Sequence, residues 1–147
     1  MKKIRDLSLG LLLGSAMLGT GALSAEQTIT VYKSPTCGCC DQWVAHLEEN
    51  DFAVETVDMT DLRMVKSMAG IAPEHASCHT ARVGEYVIEG HVPADDIRRL
   101  LEERPDARGL TVPGMPMGSP GMESPHPEHY EVLLLDKDGK TTVFAEH

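Results

Sequence analysis

Basic residues are scarce in this sequence, which has 13 Lys and Arg against 23 Asp and Glu and a formal net charge of −10. Because an acidic surface repels phosphate groups, nucleic acid is not an expected partner. Internal repeats and long low-complexity tracts are also absent, so a repeat architecture is excluded. Cysteine is sparse as well: the four cysteines fall in two places only, at residues 37–40 and at Cys78.

The N-terminus lacks an apolar run of the roughly 20 residues that a membrane-spanning helix needs. Three basic side chains within the first five residues precede an uncharged, Leu-, Gly- and Ala-rich stretch at residues 7–25. This pattern is typical of a secretory signal, with cleavage after Ser24 or Ala25. We therefore expect a signal peptide over residues 1–25 and a single mature domain over residues 26–147, located in the periplasm and not inserted in the membrane.

Hydrophobic periodicity predicts alternating strands and helices, followed by a loop and a closing hairpin. Met64 and Met68, at helical spacing, are expected in the core. The predicted elements are strand 28–32, a helix from Asp41 to near Asn50, strand 52–57, a helix opened by Thr60 and Asp61, strands 80–83 and 86–89, a helix between Pro93 and Pro105, a loop over 112–127, and strands 130–135 and 141–145.

Three thiols, Cys37, Cys39 and Cys40, lie directly after the first predicted strand and before a helix. Amide N–H groups and the dipole at a helix N-terminus lower thiol pKa values and stabilise thiolates. Such thiolates can exchange disulfides or hold a soft metal. Zinc is a poor match, since adjacent Cys39 and Cys40 cannot easily bind one ion together. Adjacent thiolates can bridge neighbouring Cu(I) ions, which select Cys and Met ligands.

The loop adds three methionines, Met115, Met117 and Met122, among prolines and glycines. They are candidate copper ligands, although methionines that cover apolar surface would give the same pattern. The other histidines, among them His46, His75, His91 and His147, are individually expected at the surface or in structural roles.

The order β-α-β-α-β-β-α with a CxxC at the first strand-to-helix junction resembles the thioredoxin and glutaredoxin architecture over residues 28–103. In that superfamily, a cis-proline loop precedes the third strand and packs against the CxxC. The corresponding residues 77–80 here contain Cys78 and His79 instead. The resemblance therefore implies that Cys78 and His79 lie beside the thiol turn. The fold expected is α/β and thioredoxin-like, with an added Met/Pro/Gly-rich loop and a C-terminal β-hairpin.

Four segments, residues 37–40, 77–80, 86–93 and 109–116, together resemble the secreted CopG-type copper-resistance family. The resemblance implies a periplasmic protein that binds copper in copper resistance, with interconversion of Cu(I) and Cu(II) as a further expectation; the bridging thiolates predict several Cu(I) ions per chain. By the same resemblance, the expected metal ligands are Cys37, Cys39, Cys40, Cys78 and His79, and less directly Met115, Met117 and Met122. The expected partners are copper ions and other periplasmic copper-handling proteins.

Two alternatives stay open. Cys37 and Cys40 could serve a thiol–disulfide oxidoreductase, in which case they would be the catalytic pair. The four cysteines could also form two structural disulfides, in one of three pairings. Whether the chain is an enzyme, such as a copper oxidoreductase, or a carrier or buffer is left undecided by the sequence.

Overall fold

A computed structural model describes residues 27–147, and the predicted signal peptide lies outside the described residues. These residues form a mixed α/β structure with a seven-stranded sheet and three α-helices. The elements are β1 (Ile29–Lys33), α1 (Gly38–Glu49), β2 (Val54–Asp58), α2 (Arg63–Met68), a 3₁₀ turn (Pro73–His75), β3 (Thr80–Val83), β4 (Tyr86–Glu89), α3 (Ala94–Glu103), β5 (Gly109–Thr111), β6 (Glu131–Leu135) and β7 (Thr141–Glu146).

The strand order in the sheet is β2-β1-β3-β4-β5-β6-β7. β1 runs parallel to β2 and antiparallel to β3, and β3 and β4 form an antiparallel hairpin. β5 is parallel to β4, and β6 and β7 form the closing hairpin that the sequence predicts. Because β1 and β3 are antiparallel neighbours, the turn that follows β1 lies beside the loop that precedes β3.

The main core lies between the sheet and the apolar faces of α1 and α3. Ile29 and Val31 of β1 are fully buried because alternate strand residues point to the same face. Trp43 and Leu47 of α1, one helical turn apart, are also fully buried. The Trp43 indole N–H donates to the backbone oxygen of Val92 at 2.9 Å, which satisfies its polar atom inside the core.

Several predicted boundaries are wrong. α1 begins at Gly38 rather than at Asp41, so two of the thiols lie in its first turn. α2 begins only at Arg63, and the backbone N–H of Arg63 donates to the Asp61 carboxylate at 2.9 Å. The short strand β5 falls in a stretch for which the sequence analysis predicted no element.

The prediction that Met64 and Met68 belong to the core is also wrong, since their exposed fractions are 72% and 79%. The six-residue helix α2 directs Lys66 toward the sheet, where its ammonium group contacts Glu89, and the methionines lie away from the sheet.

Within residues 27–147, no helix has the length and apolar character required to cross a membrane.

Candidate metal centre

Three cysteines are positioned by the junction between β1 and α1. Cys37 has extended backbone angles and occupies the N-cap position of α1 without a side-chain capping hydrogen bond, while Cys39 and Cys40 lie in the first helical turn. Cys37 and Cys40 are joined by a disulfide, and Cys39 remains a free thiol. The Sγ atoms of Cys37 and Cys39 are 3.5 Å apart. Cys40 is fully buried, whereas Cys37 and Cys39 are half-buried.

The loop before β3 brings the fourth sulfur to this turn. The Cys78 Sγ lies 3.5 Å from the Cys40 Sγ and 3.9 Å from the Cys39 Sγ. The four sulfur atoms of Cys37, Cys39, Cys40 and Cys78 therefore form a closed set, which we call the sulfur cluster. The structure thus brings together all four cysteines that the sequence analysis named as candidate metal ligands, although the sequence separates Cys78 from the turn by nearly forty residues.

Two buried imidazoles contact the same thiol. The Nδ1 atom of His79 is 3.2 Å from the Cys78 Sγ, and the Nε2 atom of His91 is 3.0 Å from it. The His79 Nε2 atom is buried and has no hydrogen-bond partner among the described residues. His79 was predicted at this position. His91 was instead expected at the surface or in a structural role; its side chain is fully buried, so the surface placement is wrong.

The His91 ring is oriented by the backbone. Its Nδ1 atom is 2.7 Å from the backbone oxygen of Pro120, and a carbonyl can only accept, so Nδ1 carries the proton. The Nε2 atom then presents its lone pair to Cys78. A sequence signal for this placement existed, because His91 lies within the 86–93 segment that carries the CopG resemblance.

Burial controls the protonation of these groups. It raises the pKa of the Cys78 thiol to about 12, with a further contribution from the neighbouring Cys39. Burial lowers the pKa of His79 to about 3, assisted by the nearby His91 and Lys66. Burial also lowers the pKa of His91. The metal-free centre is therefore a protonated thiol between two neutral imidazoles, and a metal ion would have to displace the thiol proton.

The methionine-containing loop lies against the centre through its backbone. Gly114 donates its N–H to the Ala76 oxygen at 3.1 Å and accepts from the Ser77 hydroxyl. Further along, Gly121 lies so close to α1 that an added Cβ would be 2.7 Å from the Cys39 oxygen. The methionines between and beyond these contacts are half-buried or exposed, with exposed fractions of 50% for Met115 and 39% for Met117 and a half-buried Met122.

A buried lysine holds the other side of the thiol turn. The Lys33 ammonium group, at the end of β1, donates to the Ser34 oxygen at 3.2 Å. It also forms ion pairs with Asp41 at 2.8 Å and with Asp58 at 3.2 Å. The contact with Asp41 raises the Lys33 pKa, so the ammonium group stays charged. Because Ser34 and Asp41 lie on either side of the cysteines, Lys33 fixes both ends of the turn.

Comparison with known proteins decides the family. Residues 75–122 match a family described as "Protein of unknown function, DUF411". A solved structure titled "Copper resistance protein copG- Form 2" is 43% identical, with a TM-score of 0.79 over 82% of this chain and 98% of that chain. The Form 1 structure is 44% identical, with a TM-score of 0.78 over 82% and 96%. The chain belongs to the CopG copper-resistance family. No curated protein sequence matches it.

In this CopG-family chain, the sulfur cluster has spacings that suit soft metal ions. Thiolates bind a first-row ion at about 2.3 Å, the value for Zn–S bonds, so two sulfurs can share one ion when they lie within about 4.6 Å of each other. The distances of 3.5, 3.9 and 3.5 Å around the cluster meet this limit. The disulfide is the obstacle, because Cys37 and Cys40 can offer thiolates only after reduction by two electrons.

Proposed function

We propose that this protein binds copper in copper resistance and holds Cu(I) ions in a thiolate cluster made by Cys37, Cys39, Cys40 and Cys78. The single observation that carries the proposal is the closed set of four sulfur atoms, with neighbouring separations of 3.5 to 3.9 Å beside the disulfide. Cu(I) prefers thiolate ligands, and thiolates bridge several such ions. His79 and His91 would complete the ligand set from the buried side.

The loop methionines are proposed as additional, weaker ligands or as a soft surface that delivers copper to the cluster. The support is that the loop containing Met115, Met117 and Met122 is anchored at Ser77 and at His91, both adjacent to the centre. Thioethers suit Cu(I) and compete poorly for harder ions.

A thioredoxin-like fold and a periplasmic location are part of the same proposal. The four-strand portion β2-β1-β3-β4, with α1 following β1, supports the fold. A mature domain over residues 26–147, released from a signal peptide at residues 1–25, would work in a compartment where thiol redox state can change. Other periplasmic copper-handling proteins are the proposed partners.

Interconversion of Cu(I) and Cu(II) is a proposed activity of the cluster. Two Cu(II) ions could each accept one electron from the reduced Cys37 and Cys40 thiolates, which would give two Cu(I) ions and the Cys37–Cys40 disulfide. The reverse reaction would reduce the disulfide at the expense of two Cu(I) ions. Both directions balance two electrons, and the disulfide is one of the two end states.

A thiol–disulfide oxidoreductase is the second candidate, favoured by the disulfide between Cys37 and Cys40 in a CxxC at a helix N-terminus. The two candidate functions differ in whether they require Cys39. A CxxC enzyme needs only the outer pair, whereas a copper cluster uses the thiol of Cys39, which lies 3.5 Å from Cys37 and 3.9 Å from Cys78.

The test is Cys39→Ser, compared with wild type in two assays. We expect the variant to bind fewer Cu(I) ions, or to bind them at least about tenfold more weakly, because one bridging thiolate is lost. We expect insulin reduction by the Cys37/Cys40 pair to change little. Equal Cu(I) binding by the variant would contradict the cluster, and efficient disulfide turnover with no effect of copper would favour the oxidoreductase.

A further inference from the structure

Glu89, at the end of β4, is a fully buried carboxylate close to the metal centre. Its Oε1 atom accepts from the Lys66 ammonium group at 2.5 Å and from the backbone N–H of Ser77 at 2.7 Å. Its Oε2 atom accepts from the Thr80 hydroxyl at 2.6 Å. Both carboxylate oxygens are thus used, and the negative charge is paired with the half-buried Lys66.

Glu89 contacts Ser77 and Thr80, which lie on either side of Cys78 and His79. Ser77 precedes the pair and Thr80 follows it, so one carboxylate holds both ends of the segment that carries a thiol and an imidazole to the centre. Lys66 of α2 donates to the same Thr80 hydroxyl at 3.0 Å, so α2 also contacts the 77–80 segment. Ser77 is further restrained on its other side, since its hydroxyl donates to Gly114 in the methionine-containing loop.

We propose that Glu89 is a positioning residue that holds the 77–80 segment against the thiol turn and so sets the placement of Cys78 and His79 in the copper site. The proposal rests on the proposed copper function for its purpose, but the placement of Cys78 can be measured without copper. Glu89 does not touch the sulfur atoms, and it acts through the backbone of Ser77 and the hydroxyl of Thr80.

A charged carboxylate is needed here because three donors converge on it. A carboxylate has two acceptor oxygens and no donor, whereas an amide has one acceptor oxygen and an NH₂ group with two donor hydrogens. In Glu89→Gln, the amide NH₂ group would either face the Ser77 and Lys66 donors or donate to the Thr80 hydroxyl, whose own proton would then lose its acceptor. Lys66 would also lose its counter-charge. Hydrogen bonds to charged groups are stronger than those between neutral groups. Their loss should therefore make the 77–80 segment more mobile without abolishing copper binding.

The experiment uses the full chain with its Cys37–Cys40 disulfide intact, in which Cys39 and Cys78 are the free thiols. Alkylation by iodoacetamide is followed for each cysteine by peptide mass spectrometry. In Glu89→Gln we expect Cys78 to react about tenfold faster or more, while Cys39 changes by less than about twofold. The reduced variant should also bind Cu(I) about tenfold more weakly, with an altered thiolate-to-copper absorption band.

The matched control is Asp96→Asn, which neutralises another buried carboxylate, one that lies on α3 and pairs with His147 at 2.7 Å. It should leave Cys78 alkylation unchanged even if it lowers stability. If Glu89→Gln does not fold, Thr80→Val removes one of the three donors at nearly constant volume and should give a smaller acceleration at Cys78.

Unchanged Cys78 reactivity in a folded Glu89 or Thr80 variant would overturn the proposal, as would an equal increase in Asp96→Asn. A wild-type protein that binds no Cu(I) would instead refute the proposed function. Even in that case, the alkylation rates would still decide whether Glu89 positions Cys78.

Discussion

At the scale of single residues, the centre depends on groups that burial keeps uncharged. Cys78 lies between His79 and His91, and burial raises the thiol pKa to about 12 while it lowers the pKa of both imidazoles. A neutral centre needs no counter-charge in the metal-free chain. The proposed copper binding would therefore release protons, so the Cu(I) affinity should rise with pH.

His79 should make the metal-free protein sensitive to acid. Its pKa is about 3 in the folded chain and near 6.5 when unfolded, so the unfolded chain binds more protons between these values and stability falls as pH falls below 6.5. Between about pH 7 and pH 5, this one group should remove about 2 kcal/mol of unfolding free energy. Denaturant titrations of wild type and His79→Gln at the two pH values measure the difference.

His126 provides the control for this measurement, because it is an exposed histidine in the same chain. His126→Gln should lose stability in acid as wild type does, whereas His79→Gln should lose about 2 kcal/mol less. An identical pH dependence for wild type and His79→Gln would show that His79 is not buried as a neutral imidazole.

At the scale of elements, the centre is assembled where α1, the 77–80 segment and the methionine-containing loop meet. The loop approaches α1 at Gly121, which has a φ of +86° and lies against the Cys39 oxygen and the Trp43 amide. A side chain at this position would therefore meet two obstacles, an unfavourable backbone conformation and a clash with the helix that carries the thiols.

Gly121→Ala tests this contact, with Gly139→Ala as its matched control. Gly139 has a nearly identical φ of +87°, but an added Cβ would meet nothing within 4 Å. We expect the control to lose about 1 kcal/mol from the backbone conformation alone. Gly121→Ala should lose clearly more, and its Cys39 should be alkylated faster as the loop moves off α1. Equal stability losses in the two variants would mean that the loop does not pack on the helix.

Local patterns predicted most of the elements, but contacts between distant segments were harder to predict. The hairpin 80–83 with 86–89 was predicted with its observed bounds, because alternating β-formers flank a Gly-Glu turn. Met64 was misplaced because its helix is too short for periodicity to specify the buried face. Cys78 was placed correctly only through a resemblance to known folds.

His91 shows the same limit at the centre. A single histidine after a strand carries no periodic signal. The orientation of the His91 ring depends on the Pro120 carbonyl, which lies far along the chain. Glu89 was likewise indistinguishable from an ordinary strand residue, since its contacts come from α2 and from the 77–80 segment.

At the scale of the whole molecule, the sheet order determines where the four sulfur atoms meet. β1 lies between β2 and β3, so the thiol turn after β1 and the segment before β3 face each other. Two lysine–carboxylate arrangements hold the two sides: Lys33 with Asp41 and Asp58 at the turn, and Lys66 with Glu89 at the segment. The fold thus fixes four sulfurs in place, and the redox state of the Cys37–Cys40 pair determines how many of them are available as thiolate ligands.

The proposed thiolate cluster is tested by an anaerobic titration of the mature protein with Cu(I) against a Cu(I) chelator, before and after reduction of the disulfide. We expect more than one tightly bound Cu(I) per reduced chain, clearly weaker binding to the disulfide form, and no displacement by excess Zn(II). A stoichiometry fixed at one, tighter binding of Zn(II), or equal copper binding with the disulfide intact would contradict the cluster.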